Sequence, residues 1–162
     1  PVMVATSGDT LLRQEAISAL QEELLPLATI VTPNVPEASV LAGIDIATRE
    51  DMEFAARIIG EKLPETWILV KGGHLDGEEE QVPDLLFKRD LYWIEGKKVR
   101  TRNTHGSGCT LSAAIAANLA RKNAVYAAVQ EAKEYVQGAI RHAWKNVGEG
   151  RGSLRHAWRS EF

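Results

Sequence analysis

The alternation of short apolar runs with helical periods predicts an α/β fold on a mainly parallel sheet. Three observations carry that expectation. Thr66–Lys71 has a continuous apolar centre, as in a strand covered on both faces. Strand-like and helix-like segments alternate from Pro1 to Lys71, and a hairpin and two helices follow. Finally, Gly106-Ser107-Gly108 opens abruptly into an alanine-rich helical run, the strand-to-helix glycine turn common in α/β proteins.

Taken in order, Pro1–Ala5 reads as a strand ended by the turn Thr6-Ser7-Gly8-Asp9. Leu12, Ala16, Ile17, Leu20 and Leu24 recur at helical spacing, and Pro26 closes that helix. Thr29–Thr32 is a strand stopped by Pro33. Asn34 caps a short helix with Pro36 in its first turn and Gly43 at its end. Thr48 and Asp51 form a capping box before Met52, Ala55, Ala56, Ile59 and Leu63, and Thr66–Lys71 follows.

Gly72-Gly73-His74 leads into an acidic loop, Asp76 to Glu80. Pro83–Phe87 and Leu91–Glu95 flank a hairpin turn, and Val99–Thr101 is a last extended piece. The run after Cys109 reads as a helix buried on all faces. Asn123 caps a long amphipathic helix with the stripe Val125, Ala128, Val129, Ala132, Val136, Ala139, Ile140 and Ala143. Gly148–Gly152 ends it, and the basic remainder to Phe162 reads as a mobile tail. One domain over 1–162 is expected, incomplete at its amino end because Pro1–Ala5 reads as a strand already under way.

Composition narrows the function classes. With 162 residues, 44% hydrophobic, 25% charged and a net charge of -3, the chain is an ordinary globular one with no electrostatic footprint for nucleic acid or anionic membrane. A single cysteine excludes an internal disulfide and any multi-cysteine zinc site, and fits the reducing cytoplasm. No apolar run approaches the ~18 residues of a membrane span, and no signal peptide is expected from the sequence as given.

The chemistry concentrates in Thr101–Thr110. A glycine turn at a helix start leaves backbone N–H groups pointing one way with the helix dipole behind them, an arrangement suited to phosphate. Cys109 lies in the first helical turn, and Arg102, Asn103, Thr104 and His105 are donors on the approach. The competing reading is a plain strand-to-helix connection. Asn34 and Glu37 read first as a helix cap and a carboxylate at the dipole. Lys71 ends a buried strand at the carboxyl edge of the sheet, where α/β folds bind ligands, or is a solvated strand end.

Asn103–Ala116 resembles the anion-hole motif of hydroxymethylpyrimidine (HMP) kinase, the phosphomethylpyrimidine kinase of thiamin biosynthesis, within the ribokinase-like superfamily. Pro33–Glu37 is similar to that superfamily's Asn-x-x-Glu motif, and Val70–His74 to a Val-Lys-Gly-Gly-His run. Ser107 departs from the commoner threonine but keeps the hydroxyl. The resemblance covers nearly the whole chain and corresponds to the carboxyl-terminal part of the family's domain. It implies a three-layer sandwich and a transferase that phosphorylates 4-amino-5-hydroxymethyl-2-methylpyrimidine and then its monophosphate from ATP with Mg²⁺. Cys109 would act on the substrate hydroxyl, with Gly106, Ser107 and Gly108 completing the anion hole. Lys71, Asn34, Thr104 and Arg102 would contact nucleotide or phosphate, Asn34 and Glu37 would serve Mg²⁺ through water, and Val2 would line the pyrimidine pocket.

Further strands and an aspartate that precede the Pro-Val-Met run in the family are not in this sequence. A second copy in a homo-oligomer or a complementing amino-terminal segment would then cover the exposed side of the sheet. Three alternatives stand beside the kinase. A pyridoxal-type vitamin kinase shares the architecture, but Cys109 stands where its motif usually has aspartate. A thiol hydrolase using His105 and Cys109 lacks a residue to orient the histidine. A non-catalytic nucleotide-binding remnant is the rival from another class.

Overall fold

At the centre of the sheet in a computed structural model, which describes residues 1–4, 11–73, 75, 80–144 and 152–160, lies β2 (Trp67–Lys71). The chain packs as two units, Pro1–Glu95 and Gly96–Phe162.

In the first unit, the described strands pair in chain order: β1 (Ile30–Val31), β2, β3 (Asp84–Phe87) and β4 (Leu91–Ile94). β1 and β2 are parallel, joined through α2 (Val35–Ala42) and α3 (Arg49–Lys62). The β3–β4 hairpin adds antiparallel, with Lys71 opposite Asp84 and Phe87 opposite Leu91. The described sheet is thus mixed rather than mainly parallel: β3 returns antiparallel along β2, and the short turn 88–90 can only pair β4 with β3 antiparallel. Ile68, Leu69 and Val70 are fully buried, as their continuous apolar run predicts. They join Met52, Ala55, Ala56 and Ile59 of α3 and Val35, Ala38 and Leu41 of α2 in the burial of the unit.

Both predicted caps form. Asn34 accepts from the Glu37 N–H and Glu37 returns a bond to the Asn34 N–H; Thr48 and Asp51 do the same for α3. Three bonds to Asp51, from the Ala47 and Thr48 amides and the Thr48 hydroxyl, hold its carboxyl below the ordinary value of 3.8. Residues 1–4 form no named strand, and the expected turn at 6–9 lies outside the described residues.

The first helix departs from its predicted stripe. α1 (Gln14–Ala19) widens into a π turn, Leu20–Leu24, and ends in a 3₁₀ turn, Leu25–Leu27, containing Pro26. A wider turn adds about one residue per revolution and rotates the apolar positions. Leu24 is consequently 59% exposed, and Leu25 is buried in its place.

The second unit packs α4 (Ser107–Ala120) against α5 (Val125–Arg141). α4 is not buried on all faces: of its residues Leu111 and Ile115 are buried, while Ala113, Ala116 and Ala117 are exposed. One neighbouring helix covers one edge of a helix, whatever its composition. The N-cap of α5 is Ala124, and Asn123 instead reaches Glu131 along the helix. Val99–Thr101 joins no strand. The expected stop at 148–152 lies outside the described residues except for Gly152. The tail expected to be mobile is docked as far as residue 160, with Leu154 only 2% exposed.

Candidate phosphate-binding site

In the first unit, Asn34, Glu37 and Lys71 come together at the carboxyl ends of the parallel pair. Asn34 and Lys71 form an isolated parallel bridge, and the Lys71 N–H donates to the Pro33 carbonyl at 2.9 Å. Glu37, 3% exposed, accepts the Met3 N–H on Oε1 at 3.0 Å and the Asn34 N–H on Oε2 at 2.9 Å. The Asn34 Oδ1 accepts the Glu37 N–H at 2.8 Å, and its Nδ2 donates to the Val4 carbonyl at 3.5 Å. The motif therefore ties residues 1–4 to the start of α2. Val2, between these anchors, is 61% exposed with φ 57°.

These contacts bear on Mg²⁺. Each oxygen of the Asn34–Glu37 pair already holds an N–H group, so none is bare for direct ligation. The lone pairs that remain on the carboxylate suit a water of a strongly hydrated ion, so the pair fits an outer-sphere role. Among the described residues, no cluster of three or more His, Cys, Asp or Glu side chains is placed to hold a metal.

Asp84 was not singled out by sequence. It is buried opposite Lys71, and its Oδ1 accepts the Gly72 N–H at 3.0 Å. A carboxylate opening an otherwise apolar strand was the available signal. His74 and residues 76–79 of the acidic loop lie outside the described residues.

In the second unit, Arg102 to Cys109 form one tight turn into α4. The Thr104 N–H donates to the Arg102 carbonyl at 3.1 Å, and the Ser107 N–H to the Thr104 carbonyl at 3.2 Å. Gly106 is the N-cap with φ 82°, a conformation that a Cβ would strain, which accounts for glycine there. The Thr110 N–H donates to the Gly106 carbonyl at 2.9 Å. Helix geometry leaves the amides of Gly108 and Cys109 without intrahelical acceptors. Ser107, expected to contribute its amide, has already given it to Thr104, so its hydroxyl is what it can offer. Cys109 is exposed on this first turn. His105 is exposed too, and its N–H pairs with the Gly152 carbonyl at 3.3 Å.

The mixed sheet with an Asn-x-x-Glu cap at its parallel edge in the first unit, and the glycine turn ahead of an exposed cysteine in the second, fit a ribokinase-like fold. The solved structures agree: a pyridoxal kinase from Staphylococcus aureus in complex with AMP-PCP superposes with a TM-score of 0.87 at 34% identity. That match covers 99% of this chain and 57% of the other. The family model for phosphomethylpyrimidine kinase matches residues 1–155, and the chain belongs to that family. The hydroxymethylpyrimidine/phosphomethylpyrimidine kinase of Rhizobium meliloti strain 1021 is 50% identical over 157 residues. Its counterpart in Synechococcus elongatus is 45% identical over 152. Each match covers 94% of this chain, and the chain spans 57% of the length of each of these relatives.

Proposed function

We propose that the protein transfers the γ-phosphoryl group of ATP to the hydroxymethyl group of 4-amino-5-hydroxymethyl-2-methylpyrimidine, and then phosphorylates the monophosphate. The observation that carries this reading is the turn ahead of α4. In a member of this family it presents two amides without intrahelical acceptors and an exposed Cys109 on the same helical turn.

In the transfer, the substrate oxygen bonds to the γ-phosphorus as the bond from that phosphorus to the bridging oxygen breaks, and ADP leaves. The hydroxyl proton passes to the Cys109 sulfur, exposed on the first turn of α4, acting as the base. The Gly108 and Cys109 amides meet charge on the moving phosphoryl oxygens, helped by Gly106, which shapes the turn, and the Ser107 hydroxyl. Arg102 and Thr104 on the approach, and Lys71 and Asn34 in the first unit, serve nucleotide or phosphate. Val2 contacts the pyrimidine. Asn34 and Glu37 would hold Mg²⁺ through water, and the bound ion would supply neutralisation of phosphate charge. This reading takes 1–162 as one kinase domain.

A pyridoxal-type alcohol is the second reading, favoured by the 34% identity to a structure named pyridoxal kinase. The test is ADP release by the folded chain with MgATP, alone and with the pyrimidine alcohol or pyridoxal. Release dependent on the pyrimidine supports the first reading and release dependent on pyridoxal the second. Nucleotide binding without release from either alcohol refutes turnover and leaves a non-catalytic binding protein.

A further inference from the structure

The segment 152–160 is fixed to α5 from Arg155 to Arg159. The Arg155 N–H donates to the Ala139 carbonyl at 3.1 Å, and the Trp158 indole N–H to the Tyr135 carbonyl at 3.0 Å. The Trp158 ring stacks on His142 with centroids 5.2 Å apart, over the bare backbone of Gly138. The Tyr135 hydroxyl donates to the His156 carbonyl at 2.8 Å, which fixes the backbone from which the His156 imidazole projects.

From that anchorage the segment meets the glycine turn at three places. The Gly152 carbonyl accepts the His105 N–H, and Ser153 bridges His105 in parallel. Gly152 also faces the Asn103 side chain so closely that a Cβ there would collide with the amide oxygen. Third, His156 Nε2 lies 3.0 Å from the Thr110 hydroxyl.

The third contact has a direction. A threonine hydroxyl has one proton, and Thr110 gives it to the Gly106 carbonyl at 2.8 Å. With that proton directed at the carbonyl, the hydroxyl oxygen is left to accept from the imidazole, an arrangement that calls for the proton on His156 Nε2. The Gly106 carbonyl thus receives two donors from Thr110, its N–H and its hydroxyl. Because a peptide unit is planar, fixing that carbonyl fixes the Gly106–Ser107 plane, and the helical backbone of α4, which starts at Ser107, carries that orientation on to the Gly108 and Cys109 amides.

We propose that His156 is a positioning residue for the turn: its Nε2–H orients the Thr110 hydroxyl, which locks the Gly106 carbonyl and so aims the open amides. The inference rests on the reading of that turn as the phosphate hole. The imidazole is itself exposed, so its removal takes little from the core. Its effect falls on the geometry of the turn.

The proton position is read first, by ¹⁵N NMR of the full chain at about pH 8, where an ordinary imidazole is neutral. The expected result is the Nε2–H form, and the Nδ1–H form overturns the proposal without any variant being made. His156→Ala should then raise amide exchange at Thr110 at least tenfold while leaving α3 amides and the urea midpoint unchanged. His156→Gln, which returns an N–H donor, should restore exchange to within about twofold of the wild type. Unchanged exchange in His156→Ala, or no rescue by glutamine, overturns the proposal. Where the wild type turns over, His156→Ala should lower kcat several-fold with KM for ATP little changed. A wild type that does not turn over, yet shows the Nε2–H form and the expected exchange, removes the kinase reading and leaves the brace standing.

Discussion

Replacing Glu37 by alanine tests whether its carboxylate is first of all a structural group. The side chain is 3% exposed and accepts two backbone N–H groups, from Met3 and Asn34, both buried. A buried donor left without its partner costs about 1–3 kcal/mol. Two of them put Glu37→Ala at about 3–4 kcal/mol, a large share of the 5–15 kcal/mol of a typical domain. Glu37→Gln keeps one acceptor oxygen but turns an amide N–H toward the second donor, so about half that loss is expected. With a urea slope of about 1–3 kcal/mol/M, the alanine variant should move the midpoint by roughly 1–4 M. The assay is urea unfolding followed by far-UV circular dichroism, without ATP or magnesium. A carboxylate buried mainly for a cation would carry an uncompensated charge in the free protein, and neutralising it would stabilise the fold. A midpoint for Glu37→Gln equal to or above the wild type would therefore refute the structural argument.

Three further outcomes are expected. Cys109→Ala should lower the phosphorylation rate at least tenfold while nucleotide binding persists, and unchanged turnover would remove Cys109 from the chemistry. Gly106→Ala, at φ 82°, should cost about 1–2 kcal/mol of local strain and weaken phosphate binding; a variant with wild-type exchange at Thr110 would contradict the strain. Asp51, held below 3.8 by its cap bonds, contributes stability above that value and loses it as the pH falls through its lowered folded value. Urea midpoints of wild type and Asp51→Asn should therefore differ most above 3.8 and converge below the lowered value, and a constant gap would exclude the linkage.

Local chemistry made much of the first unit legible. Asn34 and Thr48 cap their helices as read, because a cap is decided by side chains within three residues of the backbone they bind. The β2 strand and the β3–β4 hairpin were legible for the same reason: apolar runs and turn residues act over a few positions. The glycine turn could be placed at a helix start, and Gly106 does adopt the left-handed conformation that its type allows.

Other features depend on what a segment meets, which no local pattern contains. Composition could not say that α4 would have one buried edge, since burial is set by the neighbour and α5 covers only the side of Leu111 and Ile115. Nor could it say that Glu37 would be taken up by Met3, a residue 34 positions away. The basic remainder to Phe162 reads from its sequence as a mobile tail. In the folded chain Leu154 is buried and the Trp158 indole bonds to the Tyr135 carbonyl of α5, which leaves His156 beside Thr110. Sequence determined which residues could turn and cap, because those properties belong to single side chains and short stretches of backbone. Only the tertiary structure decided which of them already had partners, because a hydrogen bond between distant residues exists only after the chain has brought them together.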